Sequence, residues 1–255
     1  MATALVTGGT VGIGATFARQ LAARGHDLVL VARDVARLQQ VAAELRRTGV
    51  RVEVLPADLA DPGAVQRVAD RLQDPLRPVD LLVNNAGFGL RGTVVDGDTA
   101  DHDRALDVMV RAVLVLSAAA ARSMRERHRG AIVNVSSVAG FVAMGHYSAM
   151  KAWVTAFSEG LSNELTGTGV TVTALCPGFV HTEFHDRAGL RMSSMPGVAW
   201  VDGELLVRRC LRDVAAGRVL SVPTARYRAV VALARHAPRP LVRRVSRGIM
   251  TTRRS

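Results

Sequence analysis

The chain opens on an apolar run, Ala4-Leu5-Val6-Thr7, that breaks at once into Gly8-Gly9-Thr10-Val11-Gly12-Ile13-Gly14 and then into helical spacing through Phe17, Ala18 and Leu21. Few folds accept that order. A short strand that is apolar throughout needs cover on both faces, which suits a parallel sheet held between helices. Glycines at 8, 12 and 14 let the backbone turn tightly and come close to a ligand. The helix that follows offers unsatisfied N–H groups and the positive end of its dipole, a place where an anion is stabilised. A glycine loop alone is weak support; its position between a first strand and a first helix strengthens it.

The alternation continues along the chain. Leu28–Ala32, Val52–Leu55, Val79–Asn84, Ala131–Ser136 and Val170–Leu175 read as further strands. Helices are predicted over Gly14–Arg24, through Leu38, Val41 and Leu45, over Ala64–Leu72, as one long helix across Asp101–Arg127, and over Tyr147–Leu165. This order implies right-handed crossovers and a single α/β domain, a Rossmann-like doubly wound parallel sheet of about seven strands with helices on both faces. Residues 1–203 are expected to form the dinucleotide-binding and catalytic core, and 204–255 the C-terminal helices and a basic amphipathic tail of the same domain.

Charge is concentrated in that tail. Of the net +11, all falls in residues 204–255, where 13 Arg face only Glu204 and Asp213. From Tyr227 to Ile249 the arginines alternate with Val230, Val231, Leu233, Leu241, Val242 and Val245, without an acid. Such a stretch suits an anionic membrane surface, an acidic partner or an oligomer interface. Nucleic acid is not expected, because neither interleaved aromatics nor a reader motif accompanies the charge. The first apolar run is too short for a secretory or membrane segment, so the reading is cytoplasmic, with the tail able to lie at a membrane surface. Cys176 and Cys210 form no CxxC and join no His cluster, which fits neither a disulfide framework nor a zinc site; no metal is expected.

Lysine usage narrows the chemistry. Of 33 basic residues only Lys151 is a lysine, and one of the two tyrosines, Tyr147, precedes it by four positions. On a predicted helix the two share a face one turn apart. A compact ammonium differs from the planar guanidinium that the chain otherwise uses. Beside a phenol, it would favour the phenolate and bring a group with an ordinary pKa near 10 toward acid–base work.

The second strand ends in Val31-Ala32-Arg33-Asp34. A carboxylate at this place suits the ribose of NAD, whereas an arginine accommodates the 2′-phosphate of NADP, so Arg33 favours NADP(H) over NAD(H). The plainer alternative makes Arg33 a solvated residue and Asp34 a helix N-cap. Asp58-Leu59 and Asn84-Asn85-Ala86-Gly87 also follow strands, at the ends where such sheets bind ligands.

Five motifs in order, Thr7-Gly8-xxx-Gly12-Ile13-Gly14, Asn84-Asn85-Ala86-Gly87, Ser136-Ser137, Tyr147-xxx-Lys151 and Pro177-Gly178-xxx-Thr182, resemble the short-chain dehydrogenase/reductase family over nearly the whole chain. The similarity leans toward ketoacyl and steroid-type ketoreductases. The resemblance implies an NADPH-dependent reduction of a ketone to an alcohol, on a bulky apolar substrate, by a homodimer or homotetramer. It implies Tyr147 as general acid/base, Lys151 also bonding the nicotinamide ribose, and Ser137 orienting the substrate oxygen, with Ser136 as the fallback. Gly8, Thr10, Gly12, Ile13 and Gly14 would cradle the cofactor, with Asp58 and Leu59 at the adenine. Asn85, Ala86 and Gly87 would line the adenosine side, and Pro177, Gly178, Val180 and Thr182 the nicotinamide.

The chain departs from the family's pattern in two places. Met109 stands where an asparagine usually supports a proton-relaying water, and a thioether donates no hydrogen bond. Met150 stands just before the lysine and His146 just before the tyrosine; the methionines also suit a packed core, and His146 suits either a substrate-facing role or a helix start. Val138–His146 is shorter than is usual, which would open one wall of the cleft. Phe184, Leu190, Met192, Met195, Val198 and Trp200 would form an apolar lid or a packed surface helix. Two other functions fit these departures: a catalytically weakened NADP(H)-binding scaffold, and an altered or engineered reductase acting on C=N.

Overall fold

Each apolar run becomes a strand in a computed structural model that describes residues 2–90, 92–180, 197 and 200–252. The elements run β1 (Thr3–Thr7), α1 (Gly12–Ala22), β2 (Asp27–Ala32), α2 (Val35–Arg46), β3 (Val52–Pro56), α3 (Pro62–Gln73) and β4 (Leu81–Asn84). There follow α4 (Thr99–Leu106), α5 (Ala112–Glu126), β5 (Gly130–Val135), α6 (His146–Glu164) and β6 (Val170–Leu175). The C-terminal part adds β7 (Phe179–Val180), β8 (Trp200–Val201), α7 (Gly203–Ala215), β9 (Leu220–Ser221), α8 (Ala225–His236) and α9 (Arg239–Thr252).

Seven strands pair in parallel in the order β3-β2-β1-β4-β5-β6-β9. Alternate strand residues feed two cores, as the two-residue repeat of a strand requires. Leu5, Val29, Val31, Leu82 and Ile132 pack toward α3, α5 and α6. Ala4, Val6, Leu28, Leu30, Val83 and Val133 pack toward α1, α2 and α7. The strand order reverses between β1 and β4, which opens a crevice at their C-terminal ends, where such sheets take ligands.

Helix starts follow the chemistry of their caps. Asp34 accepts from the Arg37 N–H at 3.0 Å and starts α2. Asp61, ahead of Pro62, accepts from Gly63 and Ala64 and starts α3. Ahead of α1 stands Val11, with no side-chain cap, so the first-turn N–H groups face the crevice without a competing side chain.

Two features differ from the sequence reading. The single helix expected over Asp101–Arg127 is α4 and α5 joined by one turn of π-helix at Asp107–Arg111. The extra residue leaves the spacing of apolar side chains helical on either side, so periodicity does not betray it. The seventh strand, β9, is two residues long and too short for any repeat to show. The basic tail is helical as expected; α9 buries Val242 and Ser246 against the domain. Among the described residues no helix is long and apolar enough to cross a membrane.

Beneath the crevice lies a buried polar network. The Asn84 amide donates to Ser117 Oγ at 3.0 Å and to Asn134 Oδ1 at 2.9 Å, while the Asn134 amide donates to Ser158 Oγ at 3.0 Å. It ties β4 and β5 to α5 and α6. An Asn134→Leu variant strands the buried Asn84 amide and is expected to lose about 1–3 kcal/mol in urea titration. An unchanged midpoint would show that the network adds nothing to stability.

Candidate active site

The glycine loop is shaped by close approach. Gly8 (φ +64°) and Gly12 (φ +53°) take a left-handed conformation, and a side chain at Gly14 would collide with the carbonyl of Gly8. Thr7 ties this loop to the next strand end. Its Oγ1 accepts from the N–H groups of Asn85 (2.9 Å) and Ala86 (3.0 Å). The Asn85 amide donates back to Thr7 O at 2.9 Å. Thr10 and Ile13 are half-buried at the rim. A tight backbone turn leading into an uncapped helix N-terminus fits a diphosphate.

Along the crevice, Arg33 is exposed at the end of β2, and Asp34 spends its carboxylate on the α2 cap. Asp58 is only partly exposed, and Leu59 is packed in the core. Asp58 accepts from Arg104 at 2.6 Å and from the Ala60 N–H at 3.1 Å. Burial works against its charge, but these bonds outweigh burial and hold the carboxyl below its ordinary range. Arg104 escaped the sequence reading; it lies on α4, and only the fold brings it to Asp58.

At the far end, Ser137, Tyr147 and Lys151 converge. Ser137 follows β5 and starts a short 3₁₀ turn (Val138–Phe141), where its Oγ accepts from the Ala139 N–H at 3.1 Å. Its hydroxyl also stands near enough to the Tyr147 phenol to draw its pKa down. Ser136 points away: its Oγ donates to Lys151 O at 2.7 Å and meets Thr155 Oγ1 at 2.7 Å, bracing α6. Ser137 is therefore the serine that meets Tyr147.

The electrostatics correct one expectation. Burial pushes the Tyr147 phenol up to about 12, against a smaller opposite pull from Ser137. Lys151 Nζ donates to Val135 O at 2.8 Å and stands 5.7 Å from the centre of the tyrosine ring. It contributes no resolved part of the phenol's shift. Burial instead pushes the lysine down to about 8, with Cys176 acting weakly the other way. In this geometry desolvation, not the ammonium, sets the phenol.

The remaining candidates divide. Met109 is buried in the π turn, and a Cβ at Gly87 would lie 3.1 Å from its Sδ. Met150 is likewise core. Pro177 accepts from the Val138 N–H at 3.0 Å, and a side chain at Gly178 would strike the ring of Tyr227 on α8. Val180 is buried in β7, paired with β8. His146 meets His102 of α4, a residue that no motif pointed to. Cys176 and Cys210 are buried, and burial pushes both thiols up, so they are poor nucleophiles. Thr182, Phe184, Leu190, Met192, Met195 and Val198 lie outside the described residues.

Comparison with known proteins bears on the fold and the family. A family model described as short chain dehydrogenase matches residues 2–191. A protein of Streptomyces virginiae named as a ketoacyl reductase of the monensin polyketide synthase is 39% identical over 189 residues, 72% of each chain. Among solved structures, a short-chain dehydrogenase from Sphingobium yanoikuyae in complex with NADPH is 37% identical, with a TM-score of 0.84 over 92% of this chain and 94% of that one. A bulky-bulky ketone specific alcohol dehydrogenase from Comamonas testosteroni is 34% identical, with a TM-score of 0.80 over 92% of each chain.

The buried lysine yields a pH test. Its folded pKa, about 8, lies below the ordinary 10.5, so between these values the unfolded chain holds a proton that the folded chain has lost. Stability from this group therefore rises with pH across that window. Relative to Lys151→Met, the wild type is expected to gain thermal stability from pH 8 to pH 10; parallel melting curves across that range would refute the buried charge.

Proposed function

The chain belongs to the short-chain dehydrogenase/reductase family of NAD(P)-dependent oxidoreductases, and from that premise we propose that it reduces a bulky apolar ketone to an alcohol with NADPH. The arrangement that carries this reading is Ser137 acting on the Tyr147 phenol, one helical turn from a buried lysine. The nicotinamide, when bound, supplies the hydride. Ser137 holds the carbonyl oxygen and Tyr147 gives it a proton. A phenol held near 12 keeps its proton at neutral pH, which is the state a reduction needs. Lys151, still charged at neutral pH, holds the ribose hydroxyls.

Arg33 receives the 2′-phosphate, because Asp34 is committed to the α2 cap. Asp58 takes the adenine amino group, with Arg104 fixing its carboxylate. The apolar preference is supported by the short wall of Val138–His146, whose Val138 and Phe141 share an apolar cluster with Tyr227 of α8. A cytoplasmic homodimer or homotetramer is the proposed assembly. Exposed Val230, Leu233, Leu241 and Val245, set among arginines on α8 and α9, support contact of the tail with an anionic membrane surface. Met109 favours the scaffold alternative, but a catalytic trio that still converges argues for turnover.

NADPH oxidation, followed at its absorbance band across a panel of bulky ketones, is expected to show turnover. A Tyr147→Phe variant should lose about 10²-fold or more while still binding NADPH. Full turnover in that variant, or silence of the wild type across the panel, would sink the reading. An Arg33→Ala variant is expected to raise the KM for NADPH about tenfold, the worth of one charge-assisted bond, and to leave that for NADH unchanged. Equal effects on both cofactors would remove Arg33 from the phosphate site.

A further inference from the structure

His102 and His146 make a contact that neither the glycine loop nor the catalytic trio explains. His102 lies on α4 and is 6% exposed; His146 is the first residue of α6, directly before Tyr147. Their Nδ1 atoms stand 2.9 Å apart, with ring centres at 5.0 Å. Two imidazoles meet this closely through Nδ1 only when one carries a proton there and the other offers its lone pair. A second proton would set two cations donor against donor. A metal does not account for the pair, since among the described residues no group of three His, Cys, Asp or Glu converges to hold one.

The pair joins elements that matter to the reaction. Gly145 (φ +79°) precedes α6 and supplies no side-chain cap, so the turn that bears Tyr147 is not fixed in the ordinary way. Other contacts hold the wall before it: the Met144 N–H donates to Ser148 Oγ at 3.3 Å, and the Ala143 N–H to Ser246 Oγ of α9 at 3.1 Å. The tie from the α4 side is His102.

We propose that His102 is a positioning residue for Tyr147: through one shared proton it straps the first turn of α6 to α4, and a second proton releases the strap. The role rests on the carbonyl-reduction reading, in which the place of the Tyr147 hydroxyl decides turnover. Burial holds His146 below the ordinary histidine range, helped by His102 and opposed by Asp103 of α4. On α6 the titratable neighbours are Tyr147 and Lys151; residues 138–145 contain none. Of the C-terminal helices, α8 sets Arg235 over the Phe141 ring, where Glu159 of α6 pairs with it at 2.9 Å. The folded chain thus accepts that proton only at a lower pH than an unfolded histidine, and acid favours release.

The test uses the full chain with NADPH and a ketone that the wild type reduces. Wild-type kcat/KM is expected to fall along an acid limb. In His102→Asn, the amide can donate to or accept from His146, so neutral-pH kcat/KM should stay within about twofold while the acid limb moves to lower pH. His102→Leu should lose about tenfold in kcat/KM, the worth of one hydrogen bond, with the Kd for NADPH unchanged. An unmoved acid limb in His102→Asn overturns the proposal, as does wild-type kcat/KM or weakened NADPH binding in His102→Leu. If His102→Leu does not fold, the His102→Asn profile decides. If the wild type reduces no ketone, the reaction reading fails, and the strap is judged alone from imidazole ¹⁵N signals. Coupled titration of His102 and His146 supports it, and independent titration overturns it.

Discussion

A single hydroxyl holds the two halves of the crevice together. Thr7 Oγ1 takes the N–H groups of both Asn85 and Ala86 and donates on to Val83 O at 3.4 Å. In return the Asn85 amide caps the carbonyl at which β1 ends. These bonds cross the line where the strand order reverses, so the glycine loop and the Asn84–Gly87 segment cannot move independently. The close approach explains why Gly8 and Gly14 lack side chains: a Cβ at either would meet Asn85 or the loop itself. The cofactor cradle is a consequence of strand pairing that continues, through a side chain, past the ends of the strands.

Where a feature depends on local pattern, the sequence displayed it. The central strands are apolar because both faces are covered, and the Asp34 and Asp61 caps are visible as acids just ahead of helical spacing. The π turn was hidden, because one inserted residue leaves apolar spacing intact on both sides. Arg104 and His102 were hidden for another reason. Each does its work through a partner more than forty positions away, Asp58 or His146, and no periodicity encodes such a meeting. The preference for Ser137 over Ser136 gained a physical reason only from the fold, in which Ser136 is spent beneath α6 on Lys151 O and Thr155.

The tyrosine and lysine illustrate how spacing can name partners and still misjudge their energetics. One helical turn does bring them together, and the lysine side chain is buried. The expected gift of charge to the phenol does not follow: burial dominates the shift of both groups, while Lys151 Nζ donates to the Val135 carbonyl. Both groups lean toward their neutral forms: phenol at about 12, ammonium at about 8. A site built this way holds a transferable proton on the tyrosine, so its bias is toward giving a proton rather than taking one.

Met109 and Gly87 complete that arrangement as a matched pair. The π turn carries the methionine inward until it is 1% exposed, and the missing Cβ at Gly87 leaves room for its sulfur. A thioether there packs well and polarises readily, but it offers no proton and accepts one weakly. Support for the charge on Lys151 therefore falls to the backbone carbonyl of Val135, on a strand fixed from both sides by β4 and β6. Backbone in a central strand cannot rotate to pass a proton onward as a side-chain amide with its water could. The lysine is thus held in place by a rigid backbone contact on β5.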